Sequence, residues 1–170
     1  QYRATIDFVS RKIGHMSSTI SSKDAFFGPS AFIDLLHQLQ MDLTGAEISF
    51  CAPLSPTAEI KEGDIYVSDM FNLYRYENML YTMKLSGKEI KGFLEMSYAL
   101  WTNQMKSASD HLLLLDDSMS GFGRFKNPTF NFDSAAGIIY TVDVTKPEGS
   151  RVDIKSMADG TPFQMDKVYK

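Results

Sequence analysis

The stretch LSGKEIKGFLEMSYALW, residues 85–101, carries the clearest local folding signal in this chain. Ser86 followed by Glu89 is a capping box, in which the Ser86 side chain accepts a hydrogen bond from a first-turn amide and Glu89 reaches back to the Ser86 N–H. Leu85, just before the cap, can pack against Ile90 as a hydrophobic staple. The sequence therefore predicts a helix that starts after Ser86. Its buried face is expected to contain Ile90, Phe93, Leu94, Ser97, Tyr98 and Trp101.

Alternating apolar residues on either side of this helix predict strands. Residues 79–85 alternate directly before the cap, and residues 47–54 fit a buried strand. Residues 137–144 and 151–157, separated by a Pro-Glu-Gly-Ser turn, predict a hairpin. Residues 102–133 lose all periodicity and predict a long irregular connection, with at most a short strand at 112–115.

A second helix is predicted after Gly28 and Pro29, with Ser30 as its N-cap and Gly45 as its left-handed end. Its buried stripe is expected to consist of residues three and four apart: Phe32, Leu35, Leu36, Leu39 and Leu43. Residues 2–13 have a looser helical pattern, typical of a free-standing linker helix.

Composition limits the class of protein. The 170 residues, 44% of them hydrophobic, suit one compact domain, and no apolar run approaches the roughly 20 residues that span a bilayer. The net charge of -4 argues against a nucleic-acid partner, because phosphate recognition needs clustered positive charge. We expect an α+β fold with a mixed β-sheet, two long helices packed on it, and a linker helix over residues 1–13 ahead of the domain at 14–170.

A search for catalytic chemistry finds no complete set of residues. His15, His37 and His111 stand far apart, so neither a metal site nor a cofactor is expected in this chain. His37 is interpreted as a partly exposed polar residue of the second helix. Cys51 lies in an apolar run, which favours a buried structural thiol over a nucleophile.

Aromatic and amide side chains cluster in the segment FNLYRYEN, residues 71–78. A flat ring beside a carboxamide suits a purine, because the ring stacks on the base and the amide reads its polar edge. Tyr76 and Asn78 are the candidates. The alternative is that Phe71 and Tyr74 belong to the core and only Tyr76 and Asn78 reach outward.

The same segment takes part in a family resemblance. The chain resembles the C-terminal domain of 5'-nucleotidases and related nucleotide-sugar and cyclic-nucleotide hydrolases. The resemblance covers about residues 28–170. Its motifs, in matching order, are Gly-Asp-Ile at 63–65, Phe71, Arg-Tyr-Glu-Asn at 75–78, the helix start at 85–90 and Phe-Leu-Glu at 93–95, followed by closing strands between 136 and 169.

The resemblance implies a division of labour. In that family a two-metal phosphoesterase centre belongs to a separate N-terminal domain, so the divalent metal pair is expected there and not in this chain. The C-terminal domain holds the base of a nucleotide or nucleoside between two aromatic rings. Tyr76 corresponds to the first ring and Asn78 to the amide that contacts the base, with Arg75 beside them as a third substrate-binding candidate. The resemblance also implies an exported protein, periplasmic or at the cell surface.

Several positions depart from the family pattern. The Gly-Gly-x-Arg loop, whose Arg contacts the substrate phosphate, corresponds to about residues 55–57, where Thr57 lacks that charge. Basic residues are also missing near Ser22 and Phe26. The second ring would lie beyond Lys170, so we expect a domain truncated at its C-terminal end. These departures keep two alternatives open: a stand-alone nucleoside-binding or scaffold module, and a degenerate domain that only stabilises a partner.

Overall fold

The computed structural model describes residues 2–74, 76 and 78–170. Its helices are α1 (Tyr2–Val9), α2 (Ala31–Thr44), α3 (Val67–Leu73) and α4 (Gly87–Trp101). Its strands are β1 (Lys12–Met16), β2 (Ile20–Ser21), β3 (Ser49–Cys51), β4 (Glu59–Ile60), β5 (Gly63–Tyr66), β6 (Leu85–Ser86), β7 (Ser134–Ala136), β8 (Ile138–Val142), β9 (Val152–Met157) and β10 (Val168–Tyr169).

The α+β class is confirmed, but the strands do not form one mixed sheet. Among the described residues they pair as five antiparallel ladders: β1–β5, β2–β4, β3–β7, β6–β10 and β8–β9. The strands are short, and the chain bends sharply between β7 and β8 at Gly137, whose φ is +89°. Any side chain there would collide with the backbone of Glu47, so glycine is required for the bend that separates two ladders.

The predicted start of α4 is confirmed. The Ser86 hydroxyl accepts from the Glu89 N–H (3.3 Å), and the Ser86 N–H donates to Glu89 Oε2 (2.7 Å). Gly45 ends α2 in the left-handed conformation, with φ of +63°. Ser30 occupies the N-cap position of α2, but its hydroxyl makes no capping hydrogen bond. Its Oγ is buried without a partner among the described residues, so this part of the prediction is wrong.

The buried face of α2 is rotated from the predicted stripe. Phe32 and Leu36 are buried as expected, together with Ile33 and His37. The other three members of the stripe, Leu35, Leu39 and Leu43, are 40%, 49% and 70% exposed. The rotation follows from non-local packing, because α2 lies against β3 and β7.

The predicted strand at 79–85 is wrong apart from its last residue. Leu85 and Ser86 pair with Tyr169 and Val168, whereas residues 79–84 carry no regular structure. Alternating apolar residues show which side chains share a face, but a strand also needs hydrogen bonds to a neighbouring backbone. Within this stretch only the residues of β6 lie against such a neighbour, which is β10. Two other elements are shorter than predicted: the strand at 47–54 reduces to β3, and the helix at 2–13 ends at Val9.

A pair of buried charged side chains ties α4 to the β8–β9 hairpin. The carboxylate of Glu95 accepts hydrogen bonds from the backbone N–H groups of Arg151 (3.0 Å) and Val152 (2.8 Å). The Arg151 guanidinium donates in return to the carbonyl (3.0 Å) and hydroxyl (3.1 Å) oxygens of Thr102, just past the end of α4. Both side chains are more than nine-tenths buried, so water cannot replace these bonds.

Replacing Glu95 with Ala is expected to lower the free energy of unfolding by about 3 kcal/mol, because two buried backbone donors would lose their charged acceptor. Urea denaturation followed by circular dichroism measures this loss. Glu148→Ala, which removes an exposed carboxylate from the hairpin turn, is the control and should change stability by less than about 0.5 kcal/mol. Equal small effects in both variants would contradict the structural role given to Glu95.

Candidate functional site

The segment that contains Tyr76 and Asn78 leaves α3 in an extended conformation. Asp69 accepts from the Tyr66 N–H (2.7 Å) at the start of α3, and the buried Leu73 anchors its end. Tyr74 follows with φ of -149° and ψ of 105°, which carries the chain away from the helix. Helix α3 therefore ends just before Tyr76 and Asn78, and the extended chain after it places both residues at the surface.

Tyr76 and Asn78 are both exposed, and Asn78 is held by local hydrogen bonds. Tyr76 is 58% exposed, which leaves its ring open to solvent. The Asn78 N–H donates to the Tyr76 carbonyl (3.0 Å), and Asn78 Nδ2 donates to the Tyr74 hydroxyl (2.8 Å). The amide plane is thereby fixed while Asn78 Oδ1 still accepts. Arg75, the third candidate, lies outside the described residues.

The alternative interpretation, in which Phe71 and Tyr74 belong to the core, is correct only in part. Phe71 is 52% exposed, so it does not belong to the core, whereas Tyr74 is half-buried. A cavity of about 240 Å³ opens beside the next part of the segment, between residues 80–83 and the α2–β3 region. Neither Tyr76 nor Asn78 lines it, so the described residues offer one ring and one amide on an open surface.

The family positions that lack a basic residue are explained by packing. Ser22 is fully buried, and its hydroxyl accepts from the Ala58 N–H (3.0 Å). Phe26 is 1% exposed and stacks on Phe125 with ring centroids 4.8 Å apart. These two positions therefore serve the interior, whereas Thr57 is exposed and uncharged.

A larger cavity, of about 610 Å³, lies between the start of α2, the end of α4 and the β7–β8 bend. The sequence gives no sign of this cavity, because its walls come from segments spread over residues 26–144. Tyr98 and Trp101 were identified only as the buried face of a helix. The sequence pattern carries no signal that an empty space adjoins them.

His37 lines this cavity and is buried, contrary to the expected partial exposure. The Ser49 hydroxyl donates to Gln40 Oε1 (2.6 Å) and so accepts from His37 Nδ1 (3.0 Å). His37 Nε2 then accepts from the Ser134 hydroxyl (3.1 Å). Hydrogen bonds to both ring nitrogens explain how α2 can bury an imidazole, and burial lowers its pKa to about 4.

The structure agrees with the structural interpretation of Cys51. Its thiol is 5% exposed, and burial, together with the nearby Asp133 carboxylate, raises its pKa to about 12. A thiol that stays protonated is not a nucleophile at neutral pH. Within residues 2–74, 76 and 78–170, no three His, Cys, Asp or Glu side chains come together as a metal site. None of the helices in this part of the chain is both long and apolar enough for a bilayer crossing.

Comparisons with known proteins agree on one family. The family model for the 5'-nucleotidase C-terminal domain matches residues 12–170. A trifunctional nucleotide phosphoesterase, YfkN of Bacillus subtilis, is 38% identical over 90 residues, which is 52% of this chain and 6% of the relative. A 2',3'-cyclic-nucleotide 2'-phosphodiesterase/3'-nucleotidase of Yersinia enterocolitica is 26% identical over 167 residues, covering 86% of this chain and 24% of the relative.

The fold is shared with solved structures. A crystal structure from Staphylococcus aureus, described as that of a 5'-nucleotidase, superimposes with a TM-score of 0.76 at 20% identity. That match covers 98% of this chain and 31% of the other. The present chain thus spans a quarter or less of the curated relatives above.

His37 is expected to make the protein sensitive to acid. Its pKa is lower in the folded state than the ordinary 6.5, so between pH 6.5 and about 4 the unfolded chain binds a proton that the folded chain does not. This contribution makes the free energy of unfolding fall as the pH falls, by about 1.4 kcal/mol per pH unit.

His37→Gln keeps a hydrogen-bonding side chain but removes the titration. Urea denaturation across this pH range should give a smaller loss of stability for the variant than for the wild type. Asp133, whose pKa burial raises to about 6, opposes the effect, because its folded form binds the extra proton. Asp133→Asn should therefore steepen the acid loss, and identical pH profiles for all three proteins would exclude this account.

Proposed function

The chain belongs to the 5'-nucleotidase C-terminal domain family, and from this premise we propose that it binds the nucleoside part of a phosphoester substrate. Tyr76 supplies a ring on which a base stacks, and Asn78 accepts a hydrogen bond from a polar edge of the base. Arg75, next to both in sequence, is a third contact. The full-length protein then acts as a 5'-nucleotidase-type hydrolase in nucleotide catabolism.

The observation that carries this proposal is the fixed amide beside an exposed ring. Asn78 Nδ2 donates one of its two hydrogens to the Tyr74 hydroxyl, which orients the amide and leaves Oδ1 available to accept from a ligand. A ligand therefore meets a pre-oriented acceptor, which lowers the entropic cost of recognition. Tyr76 exposes more than half of its surface and can stack without rearranging the core.

Catalysis in this proposal takes place on a separate N-terminal metallophosphoesterase domain, in the same chain or as a partner. A divalent metal pair held by that domain would supply the activated water, and the present domain orients the substrate. Helix α1 has no buried residue and is suited to a linker between the two units. We place the protein in the periplasm or at the cell surface, as an exported enzyme.

A stand-alone nucleoside-binding module is the second candidate. Three family positions that would hold a basic residue favour this candidate. Thr57 is uncharged, and Ser22 and Phe26 are buried, so none of the three offers a cation to a phosphate. The two candidates differ in the activity of the full-length protein. In the first it hydrolyses the phosphoester of the bound nucleotide, whereas in the second it binds the nucleoside without hydrolysis.

Tyr76→Ala is expected to weaken adenosine binding to the isolated domain about fivefold or more, since base stacking on one ring contributes about 1–3 kcal/mol. Isothermal titration calorimetry measures the dissociation constant. Tyr81→Ala is the matched control, because Tyr81 is also a highly exposed tyrosine and lies only a few residues beyond the segment. Equal losses in both variants, or no loss in either, would remove Tyr76 from the site.

The isolated domain is expected to release no phosphate from AMP in the presence of added Mg²⁺, Mn²⁺ or Zn²⁺, because its described residues provide no metal centre. A phosphate-release assay tests this expectation. Activity that co-purifies with the domain and disappears on chelation would place the catalytic centre in this chain.

A further inference from the structure

The 610 Å³ cavity lies apart from the candidate nucleoside site, since neither Tyr76 nor Asn78 lines it. Binding sites for small molecules span about 300–1,000 Å³, and this cavity falls within that range. Most of the wall is apolar or aromatic, including Ile33, Trp101 and Ile138. A space of this size and lining has the properties of a binding site for an apolar molecule.

The hydroxyl groups of Tyr98 and Tyr140 lie in the wall, and one of their two hydrogens has no acceptor among the described residues. The Ala135 N–H donates to the Tyr140 hydroxyl oxygen (3.1 Å), and the Tyr98 and Tyr140 hydroxyls bond to each other (2.9 Å). Each hydroxyl carries one hydrogen, and a single bond between the two uses only one of them. Whichever tyrosine donates, the other keeps a hydrogen with no acceptor among the described residues.

Both hydroxyls remain protonated at neutral pH. Burial raises the pKa of Tyr98 well above its ordinary value and also raises that of Tyr140. The unused hydroxyl hydrogen therefore stays in place at neutral pH and can donate to a ligand. In a mainly apolar wall, a donor without an acceptor lowers the stability of the fold.

Trp101 is a second donor without an acceptor. Its ring lies between Tyr98, at a centroid distance of 4.8 Å, and Phe132, at 5.8 Å. The residue is 3% exposed, and its Nε1–H has no partner among the described residues. Trp101 Nε1–H thus adds a second unpaired donor to the wall, so a ligand that carries an acceptor atom can gain a hydrogen bond here.

The charge at the rim selects against anions. Among the residues that the structure describes, Asp34 is the acidic member of the lining, and neither Lys nor Arg belongs to it. A carboxylate ligand would be repelled by Asp34 and would lose its hydration in an apolar space. A neutral carbonyl or ring nitrogen can accept the free hydrogen without that cost.

We propose that this cavity binds a small, neutral, ring-containing molecule that carries a hydrogen-bond acceptor. Its ring packs against the aromatic wall near Trp101, and its acceptor takes the spare hydrogen of the Tyr98–Tyr140 pair. The site goes beyond the proposed nucleoside function and is independent of Tyr76.

Benzamide is the probe, because it combines a neutral ring with a carbonyl acceptor. Trp101 is the single tryptophan, so its fluorescence and its one indole N–H resonance in nitrogen-labelled protein both report on this wall. We expect benzamide to shift both signals saturably. Benzoate, which adds a charge, and toluene, which lacks the acceptor, should each bind at least tenfold more weakly. Equal binding of all three compounds, or no saturable change with benzamide, would overturn the proposal.

Two variants locate the site. Ala136→Phe fills the cavity and should abolish the benzamide response, whereas Ala158→Phe, which places the same ring at an exposed position, should leave it unchanged. The double variant Tyr98→Phe, Tyr140→Phe keeps the aromatic walls but removes both hydroxyls, and should reduce benzamide affinity to that of toluene. Circular dichroism checks that each variant is folded. If benzamide affinity survives in a folded Ala136→Phe protein or in the double tyrosine variant, the cavity is not the site.

Discussion

The hydrogen bonds that link α4 to the β8–β9 hairpin, through Glu95 and Arg151, are the constraint on which the packing of these two elements depends. Helix α4 presents a carboxylate to two backbone donors of the hairpin, and the hairpin returns a guanidinium to the carbonyl end of α4. These polar contacts are directional, unlike the apolar packing around them. They fix where the hairpin sits on the helix, and thereby the position of Tyr140 opposite Tyr98.

The proposed nucleoside site relies on a different principle. Tyr76 and Asn78 are not buried, and their arrangement comes from local contacts to Tyr74 and from the rigid end of α3. Such a site can contact a ligand from one side only. This arrangement suits a domain that presents substrate to chemistry located elsewhere.

Two groups of polar side chains line the larger cavity, and they differ in how completely they are hydrogen-bonded. His37 is fully paired through Ser49, Gln40 and Ser134, so it joins α2 to the β3–β7 ladder and has no free nitrogen for a ligand. The Tyr98–Tyr140 pair, across the same cavity, is incompletely paired. A network in which every polar atom is hydrogen-bonded stabilises the fold, whereas one with an unused donor can still bind a ligand.

The sequence by itself determined the features that depend on neighbouring residues. The capping box of Ser86 and Glu89, the left-handed end at Gly45, the hairpin and the α+β class follow from local rules, and ordered motifs led to the family. Tertiary structure decided everything that needs a distant partner. Residues 79–84 alternate like a strand but meet no opposing backbone, His37 is buried by serines 12 and 97 positions away, and the cavity forms between segments that no periodicity relates. Local propensity fixes the conformation of a segment, whereas burial and pairing depend on what the rest of the chain brings against it.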